Sequence, residues 1–212
     1  MCVRYSQNFD AGALMARFGV KQPPMPVRPN YNVSAGRQGI VIFDGAIRLM
    51  KWGFIPVWAG GEITEGFINA RAEGIASRPT FRTAFYKSRC IVPADGFYEW
   101  AHTAGEKVPY RFEFRDKSLF GMAGVYDAET GTYAVITCMS NALVRTVQHR
   151  MPVILDKQRE KLWLDMRASN TEELLPILRA CDSALMHAYK VSTFVDSPDN
   201  NSPDCMKPVA EG

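Results

Sequence analysis

The stretch Cys90-Ile91-Val92-Pro93-Ala94-Asp95-Gly96-Phe97-Tyr98-Glu99-Trp100-Ala101 carries the pattern that decides the fold. Cys90–Pro93 is a short apolar run, Ala94–Gly96 has the composition of a turn, and Phe97–Ala101 is an aromatic-rich run, so two strands are predicted. More β-rich runs follow at close spacing: Val108–Phe114, Leu119–Tyr126 and Tyr133–Met139. Short strands with tight turns are typical of antiparallel sheets that close toward a barrel or a sandwich.

Outward from this centre, short helices and a hairpin complete the predicted fold. Asp10 can cap a helix over Ala11–Phe18 that Gly19 ends. Asp44-Gly45 between two apolar runs favours a type I′ hairpin over Ile40–Trp52. The remaining predicted elements are a loop at Tyr31–Gly36, a surface loop at residues 59–66, a helix over Thr80–Lys87, a strand over Met151–Leu155, a helix from Asp156 to Leu164, a helix over Thr171–Ala180 that Pro176 kinks or shortens, and a strand over Ala188–Thr193.

The sequence therefore predicts an α+β fold. We expect a single compact domain over residues 1–212, with a mainly antiparallel, β-barrel-like core flanked by short helices. The polar, proline-containing residues 196–212 are predicted to form an irregular C-terminal segment.

Composition excludes several classes of protein. The chain has 212 residues, is 47% hydrophobic and carries a net charge of +3, which suits a globular domain and does not by itself indicate nucleic-acid binding. The five cysteines lack zinc-ligand spacing, so we predict no metal and a reduced, cytoplasmic setting. No apolar run has the length of a signal peptide or a membrane span. Phosphate-loop, GxGxxG, HExxH and GxSxG motifs are absent, so no nucleotide or other cofactor is predicted.

Cys2 is the most reactive candidate residue. Removal of Met1 would leave Cys2 with a free α-amine and a thiol on adjacent carbons, and both groups have reference pKa values of about 8. An amine of this kind attacks an aldehyde to give a Schiff base, which the thiol can close into a thiazolidine ring. The alternative is that Cys2 has no role and lies in a frayed terminus.

Five further residues are candidates, each with a plainer alternative. Glu99 lies between two aromatic residues, either on a solvent face or buried with a raised pKa that suits proton transfer. Asn69 is a turn residue or a hydrogen-bond donor to the reacting groups, and Arg71 is a surface residue or a phosphate ligand. His149 is a loop residue or a proton carrier. Trp58 belongs to the core or offers a stacking face to a base.

Residues 71–90 also concentrate positive charge. Arg71, Arg78, Arg82, Lys87 and Arg89 stand there against a single acid, Glu73. Such a cluster is either a solvated helix face or a patch for a polyanion.

Six motifs in one order resemble the SOS response-associated peptidase (SRAP) family. They are Met1-Cys2-x-Arg4, Tyr31-Asn32-Val33-x-x-Gly36, Trp52-Gly53-x-x-Pro56, Asn69-Ala70-Arg71-x-Glu73, Arg89-Cys90-x-x-Pro93-Ala94-x-Gly96-x-Tyr98-Glu99-Trp100 and His149-Arg150-Met151-Pro152-Val153-Ile154-Leu155. Each motif is weak alone, but their common order is highly specific and runs from Met1 to about Pro203.

The resemblance implies a function and a set of site residues. Family members act on abasic sites in single-stranded DNA, where the mature N-terminal cysteine forms a protective thiazolidine crosslink with the ring-opened sugar aldehyde. By position, Cys2 is the nucleophile, Asn69 places the sugar and the N-terminus, and Glu99 is the acid/base. The resemblance also implies that Arg4, Arg71 and Arg150 contact phosphates and that Trp58 stacks on bases. We further expect a monomer that meets its DNA partner in the cytoplasm, at the nucleoid when DNA is damaged.

Three positions depart from the family pattern. Gln148 stands where the family has a histidine, and His149 is one place later, so on an extended segment it points the other way. Val3 replaces a glycine, and Ala35 replaces a proline. Met1, if retained, would block the α-amine of Cys2.

Two alternative functions remain open. The chain can be a thiol autopeptidase that removes Met1 with Cys2, His149 and Glu99. It can also be a non-catalytic binder of single-stranded DNA, an alternative suggested by Gln148.

Overall fold

A computed structural model describes residues 2–61, 64–103, 105–168 and 170–209. Within them the chain forms a mixed α+β domain, which confirms the predicted fold class. Met1, residues 62–63 of the predicted surface loop and residues 210–212 of the predicted C-terminal segment lie outside the described residues, as do residues 104 and 169.

The described residues contain thirteen strands and five α-helices. The strands are β1 (Arg4–Gln7), β2 (Asn30–Ser34), β3 (Gln38–Phe43), β4 (Ala46–Trp52), β5 (Asn69–Arg71), β6 (Arg89–Ala94), β7 (Gly96–Thr103), β8 (Glu106–Phe114), β9 (Phe120–Asp127), β10 (Thr132–Met139), β11 (Arg150–Pro152), β12 (Ile154–Leu155) and β13 (Met186–Lys190). The helices are α1 (Ala11–Phe18), α2 (Pro79–Lys87), α3 (Ala142–Arg145), α4 (Lys157–Leu164) and α5 (Thr171–Leu174).

The strands form two sheets. One is antiparallel, with the strand order β13-β8-β7-β1-β2. In the other, β10, β4, β3, β6 and β9 pair in turn until β9 returns to β10, so these strands form a closed ring. The ring is mainly antiparallel, as the sequence predicted. Strand β10 carries two additional partners, β5 in parallel and β11 antiparallel, and these short strands bring site residues to the edge of the ring.

Local sequence signals act where they were expected. The Asp10 side chain accepts a hydrogen bond from the Ala13 N–H and caps α1, and Gly19 ends this helix in a left-handed conformation. Asp44 and Gly45 both have positive φ angles, of 51° and 66°, as a type I′ hairpin turn requires. These signals succeed because each acts within one turn of the chain.

Several predicted elements differ from the structure. The predicted loop at Tyr31–Gly36 is wrong over Tyr31–Ser34, which belong to β2 because they pair with β1, a strand that the sequence did not reveal. The turn at Ala94–Gly96 does not join two paired strands, because there the chain passes from the ring to the five-stranded sheet. The predicted helix over Thr171–Ala180 ends at Leu174, in agreement with the expectation that Pro176 shortens it.

Two further strand predictions need adjusted limits. The predicted strand over Met151–Leu155 divides at Val153 into β11, which pairs with β10, and β12, which pairs with β9. The last strand runs over Met186–Lys190, and a 3-10 turn begins at Thr193. In both places the choice of partner strand sets the limits, and that choice is not a local property of the sequence.

The core lies inside the ring and continues between the two sheets. The hydroxyl groups of Tyr5, from the five-stranded sheet, and Tyr133, from the ring, hydrogen-bond to each other in this interior. Gly39 allows the approach, because a β-carbon there would overlap both hydroxyls. The Cys2 end of β1 is thereby set beside the ring.

Candidate active site

Cys2 lies two residues before the start of β1 and is fully buried. Strand β1 lies between β7 and β2 in its sheet, where Arg4 pairs with Tyr98 of β7. The Asn69 Nδ2 donates a hydrogen bond of 2.7 Å to the Cys2 carbonyl oxygen, which ties the N-terminal segment to the ring. The alternative of a frayed terminus therefore does not apply to Cys2.

Asn69 reaches Cys2 because β5 lies parallel to β10. The register places Asn69 opposite Val135 and Arg71 opposite Thr137. The Asn69 Oδ1 is buried and has no hydrogen-bond partner among the described residues. A buried acceptor without a partner is costly, so this oxygen marks a place where an N–H or O–H of a ligand would be stabilised.

Glu99 is buried on β7, with 2% of its surface exposed. Burial raises its pKa from 4.5 to about 7, and a hydrogen bond from the Gln148 side chain opposes this rise. Burial, and then the charge of Glu99, raise the pKa of the Cys2 thiol well above its ordinary value. A thiol that is neutral at rest thus lies near a carboxyl that can exchange a proton at neutral pH.

Both faces of β7 are covered, which explains how a glutamate is buried there. Phe97 and Glu99 face the interior between the sheets, whereas Tyr98 and Trp100 pack against the C-terminal segment around Val195. Strand alternation alone left the buried face undecided, and the structure buries both.

Gln148, and not His149, contacts the acid of the site. The Gln148 Oε1 accepts the His149 backbone N–H, so its amide nitrogen is the group that donates to Glu99. The His149 side chain is exposed. This agrees with the expectation that neighbours on an extended segment point in opposite directions. The catalytic role of His149 stays a prediction.

Arg150 and Arg71 both lie near the acid Glu73. Arg150 forms a bidentate pair with Glu73, with hydrogen bonds of 3.1 and 2.9 Å, and it also binds Thr137. This pairing, together with the charge of Arg71, holds the pKa of the Glu73 carboxyl below its usual range. Arg71 itself is exposed. Sequence reasoning gave Glu73 no role, although it is the single acid in a basic stretch.

Arg4 has protein partners on the other side of its sheet. Its guanidinium donates to the Asn32 Oδ1 and to the carbonyl oxygens of Val195 and Asp196, at 3.0 to 3.1 Å. The same group lies over the ring of Trp100, 5.9 Å from its centroid. Arg4 therefore anchors the C-terminal segment, and its contact with phosphate stays a prediction.

Trp58 is 60% exposed, so it is not a core residue. It lies on a 3-10 turn over Val57–Ala59, which the Val57 N–H fastens to Asp127. Its open ring face suits stacking on a base, and this role also stays a prediction.

No group of three or more metal-ligating side chains occurs among the described residues. In the same ranges no helix is long and apolar enough to cross a membrane.

The chain is similar to known proteins over nearly its whole length. A family model described as SOS response associated peptidase (SRAP) matches residues 1–198. "Abasic site processing protein YoqW" of Bacillus subtilis (strain 168) is 35% identical over 222 residues, which cover 98% of this chain and 99% of YoqW. "Abasic site processing protein HMCES" of Gallus gallus is 30% identical, covering 87% of this chain and 68% of HMCES. The crystal structure of a Bacteroides thetaiotaomicron protein superposes with a TM-score of 0.85 at 30% identity, over 99% of this chain and 100% of that one.

Proposed function

The chain belongs to the SRAP family, and we propose that it processes abasic sites in single-stranded DNA by forming a covalent thiazolidine through Cys2. The proposal requires removal of Met1, so that Cys2 carries the free α-amine. The relatives named above as abasic site processing proteins support the choice of substrate. We further propose that the protein acts as a monomer.

One observation carries the proposal: the hydrogen bond from Asn69 to the Cys2 carbonyl holds an N-terminal cysteine beside a buried glutamate. An aminothiol needs both its amine and its thiol directed at one aldehyde carbon, and a fixed main chain provides that direction. The unpartnered Asn69 Oδ1 supplies an acceptor for the amine or for a sugar hydroxyl.

The reaction forms one C–N bond and one C–S bond and releases one water. The α-amine attacks C1′ of the ring-opened sugar, and the carbinolamine loses its hydroxyl as water to leave an imine. The thiol sulfur then adds to the imine carbon, and the thiol proton ends on the nitrogen. No electrons are gained or lost.

Glu99 suits the proton transfers in this sequence. With a pKa of about 7 it can accept a proton from the attacking amine and return it to the departing hydroxyl. Because the pKa of the thiol is raised, the amine attacks first and the thiol needs a base when it closes the ring. The same carboxylate can serve as that base.

The test is crosslinking to a single-stranded oligonucleotide that contains one abasic site, followed by denaturing electrophoresis. Protein whose intact mass shows loss of Met1 is expected to give a slower band that survives heating. DNA with a tetrahydrofuran analogue, which has no aldehyde, should give none.

Two variants divide the reaction into its steps. Cys2→Ser keeps the α-amine and loses the thiol, so its adduct should require borohydride reduction to survive heating. Cys2→Ala should behave in the same way. A heat-stable band of wild-type intensity from Cys2→Ala, or no band from protein without Met1, contradicts the proposal. DNA binding without any crosslink would instead support the non-catalytic alternative.

The autopeptidase alternative has less support. It needs a histidine at the thiol, whereas His149 is exposed and Gln148 is the neighbour of Glu99. If Glu99→Ala protein still loses Met1 in cells, removal does not depend on this site.

A further inference from the structure

The bidentate pair between Arg150 and Glu73 leaves Arg150 without a free edge for phosphate. A guanidinium has five N–H donors and two edges that can bind an anion through parallel hydrogen bonds. The Nε–Nη2 edge donates to the Thr137 Oγ1 at 3.3 Å and to the Thr137 carbonyl at 2.7 Å. The Nη1–Nη2 edge donates to both carboxylate oxygens of Glu73, and the remaining Nη1 donor faces the Met139 sulfur at 3.8 Å.

The two edges differ in how easily they can be vacated. Thr137 is fully buried in the middle of β10, so its oxygens are fixed. The Glu73 side chain is 54% exposed, whereas the Arg150 side chain is 14% exposed. An arriving anion can therefore reach Arg150 by displacing Glu73 into solvent while Thr137 keeps the guanidinium in place.

The position of the pair connects it to the site. Arg150 follows Gln148 by two residues and lies on β11, which pairs with β10. Glu73 follows Asn69 by four residues and comes just after β5, which also pairs with β10. The ion pair therefore joins the segment that holds Gln148 to the segment that holds Asn69. Arg71, which faces Thr137 in the pairing of β5 with β10, adds a second positive charge beside Glu73. Glu73 is thus a negative group at an otherwise basic rim.

We propose that Glu73 occupies, in the free protein, the anion position on Arg150 that a DNA backbone phosphate takes in the complex. A carboxylate and a phosphate present two oxygens to a guanidinium in the same bidentate manner, so one can replace the other. The exchange makes a phosphate at Arg150 compete with an internal ion pair, which lowers the affinity of the free protein for DNA. This inference rests on the proposed function, because it requires DNA to bind at this rim.

The test compares DNA affinity in charge-matched variants. A fluorescein-labelled single-stranded oligonucleotide without an abasic site is titrated with wild-type protein, Glu73→Gln, Glu73→Asp and, as the control, Glu173→Gln on α5, whose glutamate is exposed. Glu73→Gln is expected to bind about two- to fivefold more tightly, the range of an exposed ion pair. Glu173→Gln removes the same charge elsewhere and should change affinity by less than about twofold.

Glu73→Asp separates the loss of charge from the loss of the pair. Its shorter side chain keeps the charge but cannot reach both nitrogens of Arg150 in the same way, so it too should bind more tightly than wild type. Arg150→Gln should weaken binding by a larger factor in the Glu73→Gln background than in wild type, because only there is Arg150 free of competition.

The outcomes separate this inference from the proposed function. If wild-type protein crosslinks to abasic DNA but Glu73→Gln and Glu73→Asp bind no more tightly than wild type, Glu73 does not compete with phosphate. Weaker binding by both variants would show that Glu73 instead holds Arg150 in position, and it would overturn the inference as well. If both variants bind DNA more tightly but wild-type protein forms no crosslink, the exchange of Glu73 for phosphate is supported and the thiazolidine reaction is rejected.

Discussion

Glu99 should make the protein less stable as pH rises from 4.5 to about 7, and Glu99→Gln should remove that dependence. The folded state holds the Glu99 proton more tightly than the unfolded chain, because burial raises the pKa from 4.5 to about 7. Between these values the folded state binds more protons, so the free energy of unfolding falls with increasing pH. Below 4.5 the carboxyl is neutral in both states and contributes no penalty, whereas above about 7 the full penalty applies.

The loss of stability that ionised Glu99 causes follows from the rise in its pKa. Each pKa unit corresponds to about 1.4 kcal/mol, so the rise to about 7 costs about 3 kcal/mol of stability at alkaline pH. Glutamine has nearly the same shape and still accepts the hydrogen bond from Gln148. The free energy of unfolding of Glu99→Gln should therefore equal that of wild type near pH 4 and exceed it by about 3 kcal/mol near pH 8.

The assay is urea denaturation followed by tryptophan fluorescence, since Trp52 and Trp163 are fully buried. The free energy of unfolding is measured for both proteins from about pH 4 to about pH 8.5. Glu129→Gln, which changes an exposed glutamate in the same way, is the control and should differ from wild type by a small amount at every pH. If the difference between Glu99→Gln and wild type stays constant across this range, the reasoning about the buried carboxyl is refuted.

The remaining predictions concern the two sheets and the site. Gly39→Ala should lower the free energy of unfolding by about 1–3 kcal/mol, because its β-carbon would overlap the Tyr133 hydroxyl between the sheets; thermal denaturation measures the loss. Arg111→Leu should cost about 3–5 kcal/mol in the same measurement, because it removes the cation that pairs with the partly buried Asp95 and leaves the buried Glu113 to Lys117 and His187. An unchanged melting temperature would contradict this account. Gln148→Leu removes the hydrogen bond that favours charged Glu99, so the pH midpoint of the crosslinking rate should move upward; a midpoint that stays in place would show that Gln148 does not tune Glu99.

Sequence reasoning succeeded where the signal is local. The cap of α1 at Asp10, the turn at Asp44-Gly45 and the end of the helix before Pro176 each depend on one side chain and its nearest backbone neighbours. The order of motifs likewise identified the family and named Cys2, Asn69 and Glu99 together. Short strands such as β1 and β5 escaped detection, because four and three residues are too few to establish a periodic pattern.

The two contacts that join the site across the sheets could not be predicted in the same way. Asn69 and Cys2 are 67 residues apart, and their hydrogen bond exists because β5 extends the ring while β1 lies in the other sheet. Glu99 and Gln148 come together across the same boundary. No spacing in the chain encodes such a meeting, because it depends on which strands pair.

By itself, the sequence determined the cap of α1 at Asp10, the hairpin turn at Asp44-Gly45, the fold class and the family. Only the tertiary structure decided that Gln148 rather than His149 meets Glu99, that both faces of β7 are buried, and that Glu73 covers Arg150. The reason is physical: backbone preferences and caps act over a few residues, whereas burial, pKa shifts and ion pairs are set by the neighbours that the packing of the two sheets supplies.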